Sequence, residues 1–170
     1  MSFLELAKAR YSCRKLTDAA IEPEKIERIL QATLAAPTAK NLQRYTIWQV
    51  KSPEAFDKLK QTTNYKFGAK LAFVIGAKKD GAFDRPFDGK NFAEIDAAIV
   101  ATHMMLAIQD EGLGTTWVGY FDAPKMKELF PEMQGYELIA VFPIGYPAED
   151  AKPSIRHEDR RSISEAVVEL

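Results

Sequence analysis

Ala97-Ala-Ile-Val-Ala-Thr-His-Met-Met-Leu-Ala-Ile108 is the stretch whose reading decides the fold. Wound as a helix, it carries apolar residues nearly all round its axis, and a helix of that kind is buried on most sides. The pattern runs from about Phe92 to Glu111 and stops at Gly112, a residue suited to a helix C-cap. In a chain of 170 residues a sheet covers only one face of such a helix. The other face needs helices of the same chain or a second copy, and a homodimer is the simplest source.

Working outward, elements of both kinds flank this helix. Leu71-Ala-Phe-Val-Ile75 is a continuous apolar run that reads as a strand buried on both faces. Tyr45–Val50 is strand-like in its β-branched and aromatic content, as are Thr115–Tyr120 and Leu138–Ile144. Phe3–Ala9 reads as a short helix. Pro23 opens another, with Ile26, Ile29, Leu30 and Leu34 at spacings of three and four, which ends before Pro37. Ser52-Pro53 starts a helix to about Lys60, and Asp122 caps Ala123–Phe130. Lys78–Lys90 reads as a polar loop, and from Gly145 onward the chain is a charged arm ending in Ile163–Leu170. Strands alternate with helices around a central sheet, so the class is α/β or α+β, organised as one domain over residues 1–170.

Bulk properties narrow the function. Lys+Arg is 23 against Asp+Glu 24, a net charge of -1, which argues against a nucleic-acid binder. The longest apolar-rich run is far too short to span a bilayer, and the N-terminus reads as an amphipathic helix rather than a signal peptide. A single cysteine, Cys13, permits no intramolecular disulfide and suits a cytoplasmic setting. Two histidines and that cysteine, widely separated, give no metal-ligand spacing.

Against that even balance, two anion-seeking clusters stand out. Arg10, Ser12 and Arg14 alternate, so in an extended segment they share a face and offer bidentate phosphate contacts. Arg156, His157, Arg160 and Arg161 crowd the arm. Asn41 and Gln43 also alternate, in the loop Ala36-Pro37-Thr38-Ala39-Lys40-Asn41-Leu42-Gln43, and their amides suit a heterocycle with a polar edge. Gly112-Leu-Gly-Thr-Thr-Trp-Val-Gly119 holds three glycines. A helix cap explains Gly112 and a tight turn Gly114; Gly119 is left over, in a position where backbone could approach a ligand closely. Cys13 would face away from its flanking donors, and His103 reads as packed within the apolar helix. No nucleophilic triad or carboxylate pair can be assembled. An anion site without such machinery points to a cofactor that carries the reactivity.

These segments together resemble the FMN-dependent nitroreductase family, and its short members in particular. The matching pieces are Arg10-Tyr-Ser-Cys-Arg14, Ala36–Gln43, Ile95-Asp96-Ala-Ala, Gly112–Asp122, Pro143-Ile-Gly-Tyr-Pro147, Lys152–His157 and Arg160-Arg161. The resemblance implies an α+β nitroreductase-like fold, a central mixed sheet flanked by helices, with the long central helix at a homodimer interface. It implies FMN as cofactor, held by Arg10, Ser12, Arg14 and one of Arg160 and Arg161, with Val118 and Gly119 against the ring. Pro37, Thr38, Ala39, Asn41 and Gln43 would reach the FMN of the other subunit. The implied activity is reduction by NADH or NADPH, then transfer to a nitroaromatic, quinone or similar small-molecule electron acceptor. The alternative is a protein of the same fold that stores or senses FMN without turnover. Family members usually have Pro where this chain has Arg44, and the loop with Phe83, Arg85, Pro86 and Phe87 is expected to border the substrate pocket.

Overall fold

The computed structural model describes residues 2–170. Four strands form the sheet: β1 (Tyr45–Val50), β2 (Leu71–Ala77), β3 (Gly114–Thr115) and β4 (Glu137–Gly145), in the order β1-β2-β4-β3. Six α-helices accompany it: α1 (Phe3–Ala9), α2 (Pro23–Leu34), α3 (Pro53–Leu59), α4 (Ala93–Asp110), α5 (Ala123–Leu129) and α6 (Ile163–Ala166). All three strand pairings are antiparallel, so the sheet expected as mixed is antiparallel in its ladders. The parallel component is a single isolated bridge, Ser12 to Thr115.

β2 organises the layers. Its residues alternate between the two faces, as the strand period of two requires. Ala72 and Val74 enter one core with Phe56 and Leu59 of α3 and Met126 of α5. Phe73 and Ile75 enter the other with Ile29 of α2 and Ala97, Met104 and Ile108 of α4. The apolar run is thus buried on both faces, as its composition indicated.

α4 starts and stops near where the sequence indicated, with Gly112 at φ +73 just beyond its end. One stripe, which includes Ala97, Val100, Ala101, Met104 and Ile108, is buried. The opposite stripe is only half-covered. Thr102, His103 and Leu106 line a groove of about 760 Å³ with Phe3 and Leu6 of α1 and Gln31 and Ala32 of α2. His103 therefore faces the groove rather than the core, with its Nδ1 3.0 Å from the Ile99 carbonyl.

Two further expectations change. The strand over Thr115–Tyr120 is reduced to Gly114–Thr115, followed by an isolated bridge between Val118 and Val141. Thr115 pairs with Ile144, so the ladder would next meet Pro143, which has no N–H to give. Thr115 instead donates its hydroxyl to the Pro143 carbonyl at 2.7 Å. Gly114 is not there for a tight turn. A Cβ at that position would lie 2.9 Å from Cys13 Sγ and 2.9 Å from a Leu16 methyl, so the glycine admits the N-terminal segment.

That segment is stitched down along its length. The Cys13 N–H donates to the Thr115 carbonyl, Leu16 N–H to Phe67 and Thr17 N–H to Tyr146, each at 2.8 Å. Cys13 is fully buried while Arg14 is exposed, so the alternation inferred from the sequence holds where the site needs it. Gly114→Ala should cost about 1–3 kcal/mol, the usual penalty for overpacking a close contact. Urea unfolding checks this, and an unchanged midpoint would show that the seat of Cys13 is not tight.

Candidate functional site

The stitching delivers Arg10, Ser12 and Arg14 to one end of the sheet, where the charged arm returns. Lys15 pairs with Asp150, and the Ala148 N–H donates to the Lys15 carbonyl at 3.0 Å. Further along, His157 Nε2 lies 3.1 Å from the Lys8 carbonyl, a contact in which the ring N–H donates, and its ring meets Tyr11 edge to face. The arm is therefore held against the end of α1, and the two sequence clusters converge.

They enclose a cavity of about 270 Å³ lined by Arg10, Tyr11, Ser12, Arg14, Ser154, Arg156, His157 and Arg160. No carboxylate lines it. Among the described residues, none of these four arginines has an acidic partner within 4.0 Å. Four guanidiniums without counter-ions in one concave site make a receptor for a strongly anionic group, and guanidinium matches phosphate oxygens in geometry as well as charge. Burial, with a smaller contribution from Cys13, pushes the Tyr11 hydroxyl up to about 12, so the phenol stays neutral near pH 7.

A second cavity, about 190 Å³, adjoins the first through Arg14, which lines both. Its other walls are Tyr65, Phe67, Thr116, Trp117, Val118, Gly119 and Tyr120. Gly119 is exposed, and a Cβ built there would find nothing within 4 Å, so open space lies directly over its backbone. Its N–H makes no hydrogen bond among the described residues. The combination is an aromatic recess with an unused backbone donor, beside an arginine-lined anion pocket. It fits a ligand with a flat ring at one end and a phosphate at the other.

Of the two adjacent arginines, Arg160 lines the anion pocket and Arg161 does not. Pro37, Thr38, Ala39, Asn41 and Gln43 line neither cavity. They form a separate exposed turn in which the Gln43 N–H donates to Thr38 Oγ1 at 3.1 Å and the Gln43 amide donates to Asn41 Oδ1 at 3.2 Å. Phe83, Arg85, Pro86 and Phe87 also line neither cavity. Phe83 instead lies beneath Lys40, whose Nζ is 4.8 Å from the ring centroid. Arg44, the departure from the usual proline, holds that loop by donating to the Asp80 carbonyl at 2.8 and 2.6 Å.

Tyr65 and Phe67 escaped the sequence reading. Their placement depends on the Leu16–Phe67 hydrogen bond, and the one local signal is an aromatic pair spaced by two before Gly68 (φ +95).

The model of the Nitroreductase family matches residues 7–67 and 62–146. A crystal structure of a nitroreductase family protein from Clostridium difficile 630 is 37% identical, with a TM-score of 0.90, covering 99% of this chain and 98% of that one. A Methanothermobacter thermautotrophicus protein provisionally named NADH dehydrogenase/NAD(P)H nitroreductase is 28% identical over 155 residues, covering 88% of this chain and 80% of its own length. A provisionally named nitroreductase of Exiguobacterium sibiricum 255-15, solved in complex with FMN, shares the fold at a TM-score of 0.83 and 17% identity, covering 100% of this chain and 98% of that one.

The placement of Arg160 yields a test between neighbours of identical chemistry. A charge-assisted contact contributes about 1.5–3 kcal/mol, so with FMN as the phosphate-bearing probe of the anion pocket, Arg160→Ala should weaken binding roughly 10- to 100-fold. Arg161→Ala should leave it within about twofold, since surface changes away from a contact stay near ±0.5 kcal/mol. Flavin fluorescence titration of both variants checks this, and the reverse ranking would contradict the assignment.

Proposed function

This chain belongs to the nitroreductase family, and from that premise we propose that it is a homodimeric, FMN-dependent NAD(P)H oxidoreductase acting on nitroaromatics, quinones or similar electron-poor acceptors. One observation carries the reading. The arginine-lined anion pocket and the aromatic recess meet at Arg14, so one side chain borders both ends of a phosphate-bearing flat ligand.

The residues fit FMN by their chemistry. Arg10, Ser12, Arg14, Arg156 and Arg160 would hold the phosphate and ribityl end, with no carboxylate to repel it. Val118 and Gly119 would face the ring, with the free Gly119 N–H as donor and open space above it. Once bound, FMN would supply the redox chemistry, a two-electron exchange between NADH or NADPH and the acceptor. The protein binds, orients and shields; no side chain of the two cavities is assigned a proton-transfer role.

A second copy of the chain completes the account. The groove along Thr102, His103 and Leu106 leaves an apolar face of α4 half-covered, and Phe3 and Leu4 beside it are 72% and 62% exposed. Burying that face against its symmetry mate removes apolar surface from water. It also gives the exposed turn Pro37–Gln43 a role as the part of the site contributed by the partner.

Anaerobic addition of NADH or NADPH to the FMN-loaded protein should bleach the flavin absorbance, and admission of a nitroaromatic or quinone should restore it. Bound flavin that neither nucleotide bleaches would overturn the enzymatic reading in favour of FMN storage or sensing.

A further inference from the structure

Asp96 is an acidic residue buried among the alanines of α4. It is 2% exposed, in the first turn of the helix, where the helix dipole favours its charge. One carboxylate oxygen, Oδ1, accepts the backbone N–H of Ala39 at 3.0 Å, across 57 residues of sequence. The other, Oδ2, is buried with no hydrogen-bond partner among the described residues. A half-satisfied buried carboxylate is costly, so its benefit lies in what the satisfied half holds.

What it holds is a strained turn. Lys40, Asn41 and Gln43 have φ of 52, 55 and 52. Three side-chain-bearing residues in the left-handed region within four positions form a conformation that persists only where surroundings impose it. Within the turn, the Gln43 N–H bonds Thr38 Oγ1 and the Asn41 N–H bonds the Thr38 carbonyl at 2.9 Å. Those bonds fix its internal shape but not its place on the molecule. Two contacts tie it to neighbouring elements: Lys40 Nζ, on an exposed side chain, over the half-buried Phe83 ring at 4.8 Å, and the part-buried Asp96–Ala39 bond.

We propose that Asp96 is a positioning residue for the cofactor site: it anchors the Thr38–Gln43 turn to α4 so that the Asn41 and Gln43 amides stand at the height the flavin of the partner subunit requires. The inference rests on the reading that this turn contacts FMN. Because α4 also borders the half-covered groove, one rigid helix then sets both the dimer contact and the turn that crosses it.

The test is a double-mutant cycle in FMN affinity, read by fluorescence titration, on the wild type, Asp96→Ala, Asn41→Ala and the double variant. Asp96→Ala and Asn41→Ala should each weaken binding about tenfold, and the double variant should also be about tenfold weaker rather than a hundredfold, because the displaced turn no longer presents Asn41. Asp96→Asn, which keeps an acceptor for Ala39, should bind within about twofold of wild type. Where Asp96→Ala does not fold, Ala39→Pro cuts the same bond from the other side. Position 39 opens a 3-10 turn and Thr38 before it is extended (φ -132, ψ 158), as proline requires. Ala39→Pro should reproduce the tenfold loss and the loss of sensitivity to Asn41→Ala. Additive losses, or unchanged affinity in both Asp96→Ala and Ala39→Pro, overturn the positioning role while leaving the turn's contact with FMN intact. Unchanged affinity in Asn41→Ala overturns the reading of the turn and the inference with it.

Discussion

The site depends on one constraint, the seating of the extended segment from Ser12 to Thr17 on the end of the sheet. Its backbone is sewn to Thr115, Phe67 and Tyr146 by hydrogen bonds of 2.8 Å, and Cys13 sits over the bare face of Gly114. Once Cys13 is fixed inward, Arg14 must point outward, because neighbouring strand residues take opposite faces. The same hydrogen bonds set Phe67 and the Trp117–Tyr120 segment that follows β3 around the recess that Arg14 lines. The anion pocket and the recess therefore share one frame, and their separation is a property of backbone rather than of flexible side chains.

This arrangement has an electrostatic cost. Four guanidiniums share a cavity that no carboxylate lines, on a chain whose overall balance is 23 basic to 24 acidic residues. Like charges held close repel, and solvent screens that repulsion only in part. Some cations elsewhere on the surface are paired, Arg28 with Glu111, Arg85 with Asp88 and Lys79 with Glu94. What identifies the pocket is the gathering of four guanidiniums around one cavity that no carboxylate lines. Basic residues that serve only as solvated surface need not be gathered where no carboxylate reaches them.

The sequence made much of this legible, and its failures have physical causes. The doubly buried β2, the span of α4 and the alternation of Arg10, Ser12 and Arg14 follow from local periodicity, and all three hold. The strand expected over Thr115–Tyr120 stops early because Pro143 belongs to a different strand, so its missing N–H is a tertiary fact. Gly114 looked like a turn residue because its contact with Cys13 spans a hundred residues of chain. Arg160 and Arg161 are chemically identical neighbours, and only the path of the arm separates them. Tyr65 and Phe67 had no periodic pattern to mark them. Asp96 was visible only as part of a motif, since burial and its bond to Ala39 arise on folding.

The central claim is that the arginine pocket and the aromatic recess hold the two ends of one ligand. Comparing FMN with riboflavin by calorimetric titration tests it most directly, because the two differ only in the phosphate. The account expects FMN to bind at least about a hundredfold more tightly, as two or more charge-assisted contacts would require. Equal affinities would contradict it by showing that the arginines do not engage the phosphate, and binding of neither would remove the flavin from the site.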